Sequence, residues 1–206
     1  MNSAARTAHW EQIYTTKPLE NTSWYQPNPH TSLDLIAGLN VPKDAPLLDV
    51  GGGDSFLAEH LLELGYTDIT VLDISEAALN RARQRIGDRA SDVQWIASDI
   101  TSYQPSRTYA VWHDRAAFHF LRAPEDQAAY KSVQQAATHA GSYAIIGTFS
   151  TNGPLKCSGI EIQQYSPDTM QEAFSPEWTV LQTQVVEHPT PFGTIQEFVF
   201  GVFKRR

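Results

Sequence analysis

Cysteine is almost missing from this sequence: Cys157 is the only one. That excludes an intramolecular disulfide and any multi-cysteine metal or metalloid trap. Long apolar runs are missing too. None approaches a membrane span, and the opening MNSAARTAHWEQIY lacks the charged-then-apolar layout of a secretory signal, so no membrane partner and a cytoplasmic location are expected. Basic residues are scarce, fifteen Lys and Arg against twenty-three Asp and Glu for a formal charge of −8, and they cluster only at Lys204, Arg205 and Arg206. Phosphate neutralisation supplies most nucleic-acid affinity, so no nucleic-acid partner is expected. What is present is an ordinary apolar fraction of 41% over 206 residues, enough for one well-buried domain.

From about residue 46, apolar β-type runs alternate with helix-period stretches, the pattern of a parallel sheet covered on both faces. PLLDV, DITVLDI, VQWIASDI, TYAVWHD and SYAIIGTF read as five strands. SFLAEHLLEL, SEAALNRARQRI and DQAAYKSVQQAATHA read as the helices between them, the second starting on an N-cap Ser75. After the loop STNGPLKCSGIEIQQY and a helix SPDTMQEAF, two long β-type runs joined by PTPFG read as a hairpin, so the sheet is expected to end in an antiparallel pair. The first 45 residues carry too many aromatics for a disordered tail and are read as a helical lid, with the domain proper at 46–206.

The stretch LLDVGGGDS sets three glycines, Gly51, Gly52 and Gly53, between a buried strand and a helix. There a backbone without Cβ atoms passes close to a ligand and the helix N-terminus adds donors. The turn alone fits a dinucleotide, another nucleoside cofactor or merely a tight turn. Asp73 narrows the choice, because a carboxylate at the end of the next strand, about twenty residues on, can accept from both ribose hydroxyls.

Five strand-helix units closing on a hairpin, with D-x-G-x-G at Asp49, Gly51 and Gly53, resemble the class I methyltransferases over residues 46 to 203. The resemblance implies a Rossmann-like sheet of seven mostly parallel strands with an antiparallel last strand, and S-adenosylmethionine as cofactor. It implies Asp99 as partner of the adenine amine and Ile74 and Ile100 as apolar plates for the ring. Ser55 stands where the commonest turn has a further glycine. The lid, HWEQIY followed by SWY, is similar to a subgroup that includes lysine methyltransferases of elongation factor 1A and citrate synthase. Trp10 and Tyr14 lie one helical turn apart. Ile13 replaces the subgroup's usual arginine, so Tyr14 and Trp24 become the candidates for holding the methionine carboxylate, beside a role in packing the lid.

The methyl acceptor, by the same resemblance, faces the end of the fourth strand and the loop after the fifth, here WHDRAAFHFL and STNGPLKCSG. His113, Asp114, Arg115, His119 and Cys157 are the candidate acceptor-site residues. One acid against an arginine and two histidines suits an anionic or polarisable acceptor better than an ammonium. A small thiol or sulfide methylated on sulfur is the expected acceptor, with carboxylate and phenolate close behind. Each residue has a plainer reading: Asp114–Arg115 as a structural ion pair, His119 as a core histidine, Cys157 as loop packing. No metal is expected, since the spacing of His113, His119 and Cys157 matches no zinc pattern. Two other functions stay open, a protein lysine methyltransferase with a protein substrate and a cofactor-binding partner subunit without catalysis.

Overall fold

The computed structural model describes residues 2–206. Seven strands form one sheet: β1 (Leu47–Val50), β2 (Ile69–Asp73), β3 (Val93–Ala97), β4 (Tyr109–Arg115), β5 (Thr138–Phe149), β6 (Trp178–Pro189) and β7 (Ile195–Arg205). Their spatial order is β3-β2-β1-β4-β5-β7-β6. The first five run parallel, and β7 enters antiparallel between β5 and β6. The chain leaves β1 toward β2 on one side and reaches β4 on the other, so a crevice opens at their carboxyl ends. An open α/β sheet binds its ligand at such a switch point.

Side chains alternate across the strands and split the core in two. Leu47, Val71, Val111 and Ile145 face helices α2 (His30–Gly38) and α3 (Leu57–Glu63). Leu48, Val50, Trp112 and Ile146 face α5 (Pro124–Ala136) and α6 (Pro167–Phe174). The helix α4 (Glu76–Ile86) begins on Ser75, whose hydroxyl accepts from Ala78 N, and ends at Gly87 in the left-handed region.

Two segments differ from the sequence reading. Thr138 to Ala140 belong to β5 rather than α5: Thr138 pairs with Tyr109, and after a register irregularity the continuous ladder with β4 starts at Val111 and Tyr143. The stretch after β5 holds a two-residue ladder, Lys156–Cys157 against Ile160–Glu161, where a structureless loop is expected from the sequence. The N-terminal aromatic stretch folds as α1 (Ser3–Thr16), a 3₁₀ turn (Leu19–Asn21) and α2. Among the described residues no helix is long and apolar enough to cross a membrane.

Candidate active site

The three glycines are required by what surrounds them. A Cβ on Gly51 would lie 2.6 Å from Ala117 Cβ, one on Gly52 would lie 2.5 Å from Asp49 Oδ2, and one on Gly53 would lie 2.7 Å from the Tyr14 hydroxyl. Gly51 and Gly53 also adopt positive φ of 66° and 50°. Along this turn runs a cavity lined by Asp73, Ile74, Asp99 and Ile100, and also by Tyr14 and Phe120. Asp73 is buried, and its Oδ1 accepts from Ser75 N at 2.8 Å. Burial raises its pKa to about 7, with repulsion from Asp54 and Asp49 adding to the rise. A desolvated carboxylate beside a bare glycine backbone and an apolar slot suits a nucleoside, whose diol donates to the acid while its base fills the slot.

Asp99 lines the same cavity with its acceptor capacity already spent. Its Oδ1 takes Thr101 N and Thr101 Oγ1 at 2.9 and 2.8 Å, and its Oδ2 takes Arg6 Nε and Nη2 at 3.0 and 2.9 Å. A carboxylate offers about four acceptor positions, so no lone pair remains for an adenine amine while Arg6 stays in place. In this structure Asp99 ties α1 to the sheet, and the expected pairing with an adenine amine would require Arg6 to give way.

Two further contacts hold α1 over the crevice. Glu11 accepts from Glu76 N at 2.6 Å and from Ala77 N at 3.3 Å, placing an acid on the N-terminus of α4. Arg81 of α4 donates to the carbonyls of Tyr14 and Lys17 at 2.8 and 2.9 Å and pairs with Asp54 at 3.3 Å. The Trp10 ring then packs against Tyr14, Trp24 and Phe120. Sequence reading found the aromatics but missed Arg6, Glu11, Arg81 and Asp54. Their partners lie far along the chain, and only Asp54, next to the glycine turn, carried a local signal.

A second cavity meets the first at Trp10, Tyr14, Gly51, Ala116 and Phe120, which line both. Its other walls include Asp49, Gly52, Trp24, His113, Arg115 and Cys157. Asp49 and His113 are register partners on adjacent parallel strands, so their side chains project side by side. His113 Nδ1 lies 2.6 Å from Asp49 Oδ1, and Nε2 lies 2.8 Å from Ser32 Oγ of α2. Ser32 carried no signal in the sequence, standing 81 residues from its partner.

Arg115 donates from Nη1 to the Trp24 carbonyl at 3.4 Å and stacks over the Phe198 ring at 5.0 Å. Its Nη2 and the Trp24 Nε1 are buried without hydrogen-bond partners. Burial lowers the Arg115 pKa to about 10, which leaves it charged at neutral pH. A buried donor of a charged guanidinium without an acceptor calls for an anionic or polar partner. Cys157 is buried on the same cavity, and burial lifts its thiol to about 11 against the smaller pull of Ser158, Arg115 and Lys17.

Two expected acceptor-site residues line neither cavity. Asp114 follows His113 on the strand, so the pleat turns it to the opposite face. There it accepts from Tyr130 Oη at 2.7 Å, Ala117 N at 2.9 Å and Phe118 N at 3.1 Å, holding the turn after β4. Its ring of donors also replaces the expected ion pair with Arg115. His119 lies between Phe120 and Phe149, and Nδ1 accepts from Phe149 N at 3.3 Å. Burial drives its pKa down to about 3, so it is a neutral core histidine rather than a base for the cavity.

Comparison with known proteins agrees with this geometry. Residues 47–141 match the family model described as a methyltransferase domain. The eEF1A lysine and N-terminal methyltransferase of Mus musculus is 27% identical over 143 residues, covering 68% of this chain and 20% of its own length. The chain thus spans about a fifth of that relative. The 1,6-didemethyltoxoflavin-N1-methyltransferase of Burkholderia thailandensis, solved with its substrate and S-adenosylhomocysteine, superposes with a TM-score of 0.73 at 18% identity, covering 98% of this chain and 88% of its own. A structure from the conversion of a disulfide bond into a thioacetal group during echinomycin biosynthesis superposes with a TM-score of 0.75 at 21% identity, covering 97% and 92%.

Proposed function

We propose that this chain, a class I Rossmann-like S-adenosylmethionine-dependent methyltransferase by fold and by domain, methylates a small nucleophile held in its second cavity. The cofactor is S-adenosylmethionine. The fit lies in the first cavity, where Asp73 would take the ribose hydroxyls and Ile74 and Ile100 would flank the base. Tyr14 and Gly51, on the wall common to both cavities, would border its reactive end. When bound, the cofactor supplies an electrophilic methyl on a sulfonium that leaves as a neutral thioether. The protein aligns the nucleophile, favours its anionic form and excludes water. The segment 1–45 serves as the lid that excludes it, and the cytoplasm is the proposed location.

One observation carries the acceptor class: the buried, unpartnered Nη2 of Arg115, a residue lining the second cavity together with Trp24, whose Nε1 is also unpartnered. A fixed cation in a desolvated wall favours a developing anion and disfavours an ammonium. A thiol or sulfide methylated on sulfur is the preferred acceptor. The second reading, a protein lysine methyltransferase, is favoured by the murine relative. It would need acids near the amine, and the cation at Arg115 opposes it.

Arg115→Met tests the reading. Cofactor affinity by calorimetry should stay within about threefold of wild type, while kcat/KM on a small thiol falls about 100-fold or more, the cost typical of removing one charge-stabilising donor. Equal turnover by wild type and variant would remove Arg115 from the acceptor site.

A further inference from the structure

We infer that Asp49, His113 and Ser32 form a proton relay opening on the second cavity, and that the acceptor is a group that must lose a proton as it is methylated, a thiol or phenol rather than a carboxylic acid. The inference rests on the methyltransferase reading and narrows its substrate class. Asp49 is acceptor-only when ionised, so the 2.6 Å contact requires the proton on His113 Nδ1. In the neutral ring Nε2 is then the acceptor, and the 2.8 Å contact requires Ser32 Oγ to donate to it. Ser32 keeps its lone pairs for a donor in the cavity it lines. An acceptor X–H would donate to Ser32 Oγ.

The balance closes without a further reactant. As X bonds to the methyl carbon and the carbon–sulfur bond breaks, its electrons returning to sulfur, the X–H proton moves to Ser32 Oγ and the Ser32 proton to His113 Nε2. Asp49 stabilises the imidazolium through Nδ1–H. Arg115, on the same wall, meets the charge that develops on X before the bond is complete. A carboxylic acid is already ionised at neutral pH and has no use for this chain of groups. The charged and titratable groups around His113 are Asp49 from β1, Asp114 and Arg115 from its own strand, and Asp54, Tyr14 and Cys157 elsewhere near the cavity.

The test uses the full chain with S-adenosylmethionine and two probes, a small alkanethiol that is protonated at pH 7 and a ring-fluorinated thiophenol that is ionised there. Ser32→Ala and His113→Gln should each lose about 100-fold in kcat on the alkanethiol at pH 7, in line with loss of a general base, with KM within about threefold. The loss should shrink as pH approaches the thiol's own pKa and be under about threefold on the ionised thiophenol. Equal losses on both probes at every pH would mark the three groups as a structural tie and overturn the relay. A second readout needs no acceptor: nitrogen NMR of His113 in the cofactor-free protein should show the Nδ1–H tautomer, with Ser32→Ala moving the Nε2 resonance, and an Nε2–H tautomer would overturn the relay. If the cofactor binds but neither these thiols nor a small phenol is methylated, the small-acceptor reading fails, and the tautomer alone decides the relay.

Discussion

Burial lifts Asp73 to a pKa of about 7, and that shift has a direction for both stability and binding. Between about 4 and 7 the folded protein holds a proton that the unfolded chain has released, so this group's contribution to stability falls as pH rises through that window. With the proposed ribose role, cofactor hydroxyls would donate to the ionised form, so binding should strengthen over the same window. Affinity for S-adenosylhomocysteine should be about tenfold weaker at pH 6 than at pH 8, and Asp73→Asn should flatten that slope while weakening binding at pH 8 by about 10-fold to 100-fold. Calorimetry at the two pH values reads both, and an unchanged affinity in the variant would remove Asp73 from the ribose. Asp73 was legible because a strand-end acid at a fixed offset from a glycine turn is a local pattern. His113 and Asp114 were not separable in the same way. Both are polar neighbours in WHDR, and only the pleat decides that one meets Ser32 and the other meets Tyr130.

At the scale of elements, α1 is held by charges that cross long stretches of chain. Arg6 reaches Asp99 and Asp126, Glu11 caps α4, and Arg81 donates to the carbonyls at the far end of α1. The helix buries no residue fully, so these ties and the Trp10 cluster do most to hold it. Arg6→Ala should raise amide exchange in residues 5–16 by about tenfold while the sheet stays protected, and Glu11→Ala should cost about 1 kcal/mol, the usual worth of a helix cap. Hydrogen exchange by mass spectrometry distinguishes this from global loosening, and uniform exchange across sheet and helix would contradict a separately anchored α1. The helices themselves were legible from apolar period and from caps such as Ser75. The start of β5 was not, because its first pairing, Thr138 with Tyr109, is a tertiary contact that the local helical pattern does not reveal.

For the whole molecule, the order of strands places one crevice at the ends of β1 and β4, and the N-terminal segment divides it into two cavities that meet at Gly51. The sheet was legible because alternating strand and helix periods with a closing hairpin admit few topologies. The first cavity, proposed above for the cofactor, followed from that order. The acceptor half did not, since Ser32, Trp24 and Arg115 converge only once α2 folds back on β4. The most direct measurement is methyl transfer from S-adenosylmethionine by the purified full chain to a small thiol, a phenol, benzoate and a lysine-containing peptide, assayed in parallel. Turnover on the thiol or phenol, with little on benzoate or the peptide, is the expected result. Turnover confined to the peptide would contradict a small anionic acceptor and return Arg115 to a structural role.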